Sequence, residues 1–173
     1  ESLVLVLDLE AALGSPTTRF HPGVSYRHLA VLAGFPEGLE CTPPHDISGR
    51  PWEPHLPKGP GRETVLELME RARTVLAGHA VNGRRKAAGK SAATDIWLWG
   101  QGRALTLATL QERYGLTGSV ISAVDLVRGL GVLAGLKVRL VEGATGYLGT
   151  NYAGKVAAAR AALAAEDFVY LHV

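Results

Sequence analysis

The spacing of hydrophobic and polar positions changes partway along the chain. Residues 1–13 are almost continuously apolar and predict a helix, with Gly14 as its stop. Residues 18–32 predict one or two strands, broken at His21-Pro22-Gly23. Residues 34–61 are rich in Pro and Gly and poor in apolar runs, which predicts a long loop of the kind that is usually functional or disordered. Over residues 62–78, Val65, Leu68, Met69, Ala72 and Leu76 fall on one face of a helix. Glu67 stands four residues before Arg71 on that helix, and Gly78 can end it. Residues 79–92 are basic and polar and read as a connector.

Beyond residue 92 short apolar blocks alternate with helical patterns. Strands are predicted at residues 96–99, 119–121, 137–141 and 168–173, and helices at 106–114, 123–135 and 152–165. Strands alternating with helices predict a mostly parallel sheet with both faces covered. The expected fold class is therefore α/β: an α+β segment over residues 1–90, then part of a mostly parallel sheet flanked by helices over 91–173.

A parallel sheet gathers the carboxyl ends of its strands on one rim, and ligands of open α/β sheets bind beyond that rim. Here the rim would carry Gly100-Gln101-Gly102-Arg103, Ser122, Asp125, Gly143-Ala144-Thr145-Gly146 and His172. Glycines admit close backbone approach and helix starts favour anions, so a phosphorylated or carboxylated small molecule is the natural ligand. Tight strand-to-helix turns would explain the same glycines without a ligand. Ser122 and Asp125 form S-x-x-D ahead of an apolar helix, which reads first as a capping box. A nucleophilic Ser122 would need a base or metal beside it, and the neighbouring sequence supplies none.

Individual residues carry both bland and functional readings. Arg27 lies in a predicted strand, where a guanidinium either points to solvent or meets a partner such as a carboxylate or phosphate. His45-Asp46 follows two prolines and either orients a ligand or fixes its own turn. Asn82 opens the basic run Asn82-Gly83-Arg84-Arg85-Lys86, a solvated connector or a phosphate-contacting lid. Lys155 sits near the start of the Ala-rich helix, where the helix dipole does not favour a cation.

Composition narrows the field. The chain has 173 residues, 47% of them hydrophobic, and a net charge of +2 from 18 basic and 16 acidic residues. That balance predicts neither a nucleic-acid surface nor another broad polyanion surface. The single cysteine, Cys41, excludes an internal disulfide framework and fits a reducing cytoplasmic compartment. Residues 2–7 are apolar but few, and Asp8 and Glu10 follow, so they read as neither a signal peptide nor a membrane span. The six histidines form no helical i, i+4 pair and no Cys/His cluster, so no metal site is expected from this chain alone. Walker A and G-x-G-x-x-G sequences are absent. The chain begins on Glu1 within a predicted helix and stops on an apolar strand, which reads as an interior fragment of a larger protein.

Five segments in order carry a family resemblance: His21-Pro22-Gly23-Val24-Ser25-Tyr26-Arg27-His28-Leu29, Pro43-Pro44-His45-Asp46-Ile47, Ile96-Trp97-Leu98-Trp99-Gly100-Gln101-Gly102, Val120-Ile121-Ser122-Ala123-Val124-Asp125-Leu126 and Gly143-Ala144-Thr145-Gly146-Tyr147-Leu148. Together they resemble the archaeal-type cofactor-independent phosphoglycerate mutases of the alkaline phosphatase superfamily. That resemblance implies an isomerase of glycolysis that interconverts 3-phosphoglycerate and 2-phosphoglycerate through a phosphoserine, with two divalent metal ions, usually manganese. It implies that residues 1–90 belong to an inserted substrate-binding domain and 91–173 to the metal-binding domain. The catalytic serine and the metal ligands are expected outside this segment, so the chain by itself is expected to be inactive. Arg27, His45, Asn82 and Lys155 match family positions and are the expected substrate contacts. Gly149 stands where the family pattern has Asp, before Thr150-Asn151-Tyr152. A non-catalytic ligand-binding domain, and another metal-dependent phosphatase or phosphomutase of the superfamily, remain as alternatives.

Overall fold

The computed structural model describes residues 1–173 and divides into two compact units, Glu1–Gly102 and Arg103–Val173. The N-terminal unit opens with α1 (Ser2–Leu13), ended at Gly14, whose N–H bonds the Glu10 carbonyl at 2.8 Å. An antiparallel hairpin follows, β1 (Thr18–His21) and β2 (Leu29–Leu32), with Phe20 opposite Ala30. The break at His21-Pro22-Gly23 is thus the start of the hairpin connection. Arg27 lies in that connection and not in a strand, because Ser25 turns the chain with φ 61°.

The loop after β2 holds only two 3-10 turns, Pro44–Ile47 and Glu53–His55, and one antiparallel bridge between Glu40 and Lys58. Helix α2 (Arg62–Ala77) then buries the five residues its periodicity selects. The segment expected as a connector is instead a helix, α3 (Ala80–Ala87). Its start is capped by His79, whose Nδ1 accepts the Val81 N–H at 3.1 Å while Nε2 pairs with Asp8 at 2.8 Å. The core of this unit joins Leu5, Leu9 and Leu13 of α1, Phe20 of β1, Leu68, Ala72 and Leu76 of α2, and Val81 of α3.

Residues 96–99, expected as a strand, pair with no other strand. Their apolar character serves packing: Ile96 lies against the core, and Trp97 Nε1 donates to the Thr42 carbonyl at 2.8 Å. Ala93, Asp95 and Gln101 are tied back by Asn82, Arg73 and the Leu39 carbonyl respectively. These ties hold the stretch up to Gly102 in the N-terminal unit, although the texture of the sequence changes near residue 90.

The C-terminal unit is a three-layer α/β arrangement. Its elements are α4 (Leu110–Tyr114), β3 (Gly118–Ile121), α5 (Asp125–Leu133), β4 (Lys137–Val138), α6 (Tyr152–Leu163) and β5 (Phe168–Leu171). The strands form one parallel sheet, as the alternation of elements predicts, and their order is β4-β3-β5. Helix α4 is shorter than expected because Thr109 and Glu112 close a capping box that sets its start. Val120 and Ile121 are buried at the sheet centre. Helix α5 approaches β3 so closely that a Cβ on Gly131 would lie 2.4 Å from Val120 Cγ1, which only glycine permits. The crossovers β3-α5-β4 and β4-α6-β5 run in opposite directions along the sheet, and right-handed connections carry α5 and α6 to opposite faces.

At the amino end of β5 a buried carboxylate cross-links all three strands. Ser119 Oγ donates to Glu166, Arg139 Nη2 donates to it at 2.7 Å, and Lys137 Nζ lies 3.3 Å away. The Ser119 hydroxyl, then Arg139, hold the Glu166 carboxyl at about 2, against an ordinary value of 4.5. A depressed folded-state value adds stability that is full above 4.5 and is lost as pH falls from there toward 2. Glu166→Gln should therefore lower the urea midpoint at neutral pH. Its deficit against the wild type should shrink through that acid window, and a deficit independent of pH would show that packing, not charge, is at work.

Candidate functional site

Strands β3 and β4 are neighbours, and the chains leaving their carboxyl ends turn to opposite faces, the arrangement that opens a ligand crevice in α/β sheets. The segment after β3 brings Ser122 and Val124 to this edge, and the longer segment after β4 brings residues 139–151 and the start of α6. The tip of β5 adds His172. A cavity of ≈ 530 Å³ lies at this edge, lined by Gly146, Tyr147, Leu148, Tyr152 and Val173.

Lys155 is the most unusual side chain here. It sits in the first turn of α6 and is 1% exposed, the largest fully buried side chain of the chain. Its ammonium meets one acceptor, the Thr145 carbonyl, at 3.4 Å. A buried lysine ordinarily neutralises its cost with a carboxylate or several acceptors. A neutral carbonyl at that distance leaves most of the donor capacity of an ammonium unused. The ammonium also lies at a helix start, where backbone N–H groups favour anions.

Ser122 does not form the expected capping box. Helix α5 begins at Asp125 with Val124 as its cap, and Asp125 pairs with Arg128 at 3.2 Å instead of reaching back. The buried Ser122 hydroxyl accepts the Val124 N–H at 3.0 Å and lies 3.2 Å from His172 Nδ1. The hydroxyl keeps a proton and a second lone pair for this contact, so it donates to Nδ1 in one His172 tautomer and accepts from it in the other. The imidazole beside Ser122 comes from 50 positions away, brought in by the β3·β5 pairing. Both residues are foreseeable as rim positions, but their contact has no local signal.

In the N-terminal unit the three expected site residues have separate surroundings. Arg27 is exposed and stacks over its neighbour Tyr26 at 5.2 Å. His45 is exposed, 3.7 Å from Asp46, and meets the Trp99 ring edge-on at 5.3 Å. Asn82 is buried, and its amide is spent on backbone. Nδ2 donates to the Leu76 and Ala93 carbonyls at 2.8 and 2.6 Å, and Oδ1 accepts the Ala93 N–H at 2.9 Å. A second cavity in this unit, ≈ 280 Å³, is lined by Trp52, Met69, Arg73, Thr94, Asp95 and Trp97. Arg73 spans it with two bonds to Asp95 Oδ2.

No group of three or more His, Cys, Asp or Glu side chains comes together in a way that could hold a metal ion. No helix is long and apolar enough to cross a membrane.

Comparison with known proteins agrees across the chain. The family profile of 2,3-bisphosphoglycerate-independent phosphoglycerate mutase matches residues 1–82. The "Probable 2,3-bisphosphoglycerate-independent phosphoglycerate mutase" of Geobacter sulfurreducens is 53% identical over 173 residues, covering 100% of this chain and 43% of that protein. The 2,3-bisphosphoglycerate-independent phosphoglycerate mutase of Methanosarcina acetivorans is 49% identical over 175 residues, covering 100% and 44%. Among solved structures, the PH0037 protein from Pyrococcus horikoshii aligns with TM-score 0.69 at 26% identity, over 99% of this chain and 41% of its own. The cofactor-independent phosphoglycerate mutase from Thermoplasma acidophilum aligns with TM-score 0.61 at 23% identity, over 99% and 47%, and supports the fold alone. The chain spans less than half the length of the curated relatives it matches.

Proposed function

Because this chain belongs to the family of 2,3-bisphosphoglycerate-independent phosphoglycerate mutases, we propose that it forms part of an enzyme that moves a phosphoryl group between the 3- and 2-hydroxyls of glycerate. The role of these residues is to bind and orient phosphoglycerate. The observation that carries the reading is the buried Lys155 ammonium, held in the first turn of α6 against a single neutral carbonyl. A phosphate there would neutralise the charge and accept from the helix start. Arg27 and His45 are proposed as further substrate contacts from the N-terminal unit, both exposed and able to donate to phosphate or carboxylate. Asn82, expected in the same role, is read as holding the segment after α3 in place, since its donors and acceptor are already occupied.

In this reading a serine elsewhere in the longer protein carries the phosphoryl group between the two hydroxyls. Two divalent ions, manganese by resemblance, would activate that serine and screen the transferring charge. The share of the mechanism read for the residues of this chain is binding and orientation. A cytoplasmic location goes with a glycolytic substrate.

The test is a coupled assay for 2-phosphoglycerate formed from 3-phosphoglycerate, with manganese and no added bisphosphoglycerate. The relative-length protein carrying these residues should turn over, and the 173-residue chain should not. Turnover by the chain alone would misplace the nucleophile. Inactivity of both would move the function toward a binding domain or another phosphotransferase.

A further inference from the structure

Resting on the reading of Lys155 as the cation that meets the substrate's phosphate, we propose that Thr150 is a positioning residue, whose hydroxyl locks the loop after β4 so that the Thr145 carbonyl tethers the Lys155 ammonium.

The loop is closed at its neck and again inside. At the neck, Asn151 donates from Nδ2 to the Glu142 carbonyl at 2.9 Å and from its backbone N–H to the Gly143 carbonyl at 3.1 Å. Its Oδ1 also accepts the Gly154 N–H of α6 at 2.8 Å, so loop and helix share one fixed point. Gly154 leaves the space for this, since a Cβ there would lie 2.4 Å from Asn151 Nδ2. Inside the loop the Thr145 N–H donates to Thr150 Oγ1 at 2.9 Å. Thr150 is buried, so its hydroxyl is held in one place.

Thr145 therefore gives its amide to Thr150 and its carbonyl to Lys155 Nζ. Both groups belong to one residue, so rotation of its backbone moves the tether. Past this point the loop is held by the Thr150 N–H, which donates to the Tyr147 carbonyl at 3.0 Å, while the side chains of Tyr147 and Leu148 are 82% and 93% exposed. The Thr150 hydroxyl is where the order of the neck passes to the carbonyl that holds the ammonium. Without that lock the ammonium would sample several directions, and phosphate binding would have to select one of them at a cost in affinity.

The experiment is titration of the 173-residue chain with inorganic phosphate, followed by amide chemical shifts. Thr150→Val keeps the shape and removes the acceptor, and Thr150→Ser keeps the hydroxyl. Loss of one hydrogen bond predicts phosphate binding weaker by about three- to tenfold in the valine variant and changed by less than about twofold in the serine variant. Lys155→Met should remove binding altogether. A valine variant that binds as the wild type does, while Lys155→Met loses binding, overturns the positioning role and leaves the reading of Lys155 standing. Equal binding, or none, in both wild type and Lys155→Met overturns that reading and the positioning role with it. Hydrogen exchange in the unmutated chain tests the lock even if the valine variant unfolds. The Thr145 amide should exchange slowly, and exchange at the rate of an open loop would overturn the proposal.

Discussion

Lys155→Met is expected to move stability and activity in opposite directions. The chain should melt about 2–8 °C higher, from relief of about 1–2 kcal/mol of uncompensated burial. Turnover of the relative-length protein should fall by about a hundredfold or more, the scale seen when a preorganised donor to transferring charge is removed. The stability half follows from the 1% exposure of Lys155 and its single carbonyl acceptor at 3.4 Å. Methionine has nearly the same length and flexibility and carries no charge to desolvate. The activity half follows because a group held at a cost to folding is useful only when its partner arrives. Thermal melting and the coupled assay on the same substitution check both halves. A lower melting temperature with normal turnover would make Lys155 a packing residue and remove it from the site.

How far the sequence exposes such a residue depends on the range of the forces involved. The face of α2 is fully legible, because Val65, Leu68, Met69, Ala72 and Leu76 are spaced by the helix itself and all become buried. The parallel pairing of β3, β4 and β5 is legible too, since strands that alternate with helices are joined by crossovers, whereas their order is not. Helix α3 is not. It buries only Val81 and Asn82, and the rest of its short span is small or basic. What forms it is tertiary: the Asp8-bonded His79 cap at its start and the Asn82 bonds within it. Residues 96–99 mislead in the other direction, since an apolar run long enough for a strand is used to seat indoles against loops. At the rim, sequence places Lys155 near a helix start and Ser122 before another. It cannot show that the ammonium is buried, or that His172 lies against the Ser122 hydroxyl across 50 positions.

Asn82→Ala should cost the chain about 2–4 kcal/mol, near the upper end of what single substitutions do. The side chain makes three bonds to backbone groups; in the alanine variant the Leu76 carbonyl keeps the His79 N–H at 3.2 Å, whereas both polar groups of Ala93 lose their side-chain partner. Asn82 is 3% exposed, so water does not readily replace it. Each unpaired buried group carries its own desolvation cost, and that cost exceeds the net worth of the bond it lost. Asn82→Asp should not rescue, because it keeps the acceptor for the Ala93 N–H, loses both donors and adds a buried charge. All three tryptophans, Trp52, Trp97 and Trp99, lie in the N-terminal unit, so urea unfolding followed by their fluorescence reports on the unit that Asn82 holds together. A midpoint within about 0.5 kcal/mol of wild type, joined to weaker substrate binding in the longer protein, would instead return Asn82 to the substrate contacts that the family resemblance implies. The two outcomes are distinct because a clamp acts on the folded state with or without ligand, whereas a substrate contact is silent until the ligand is present.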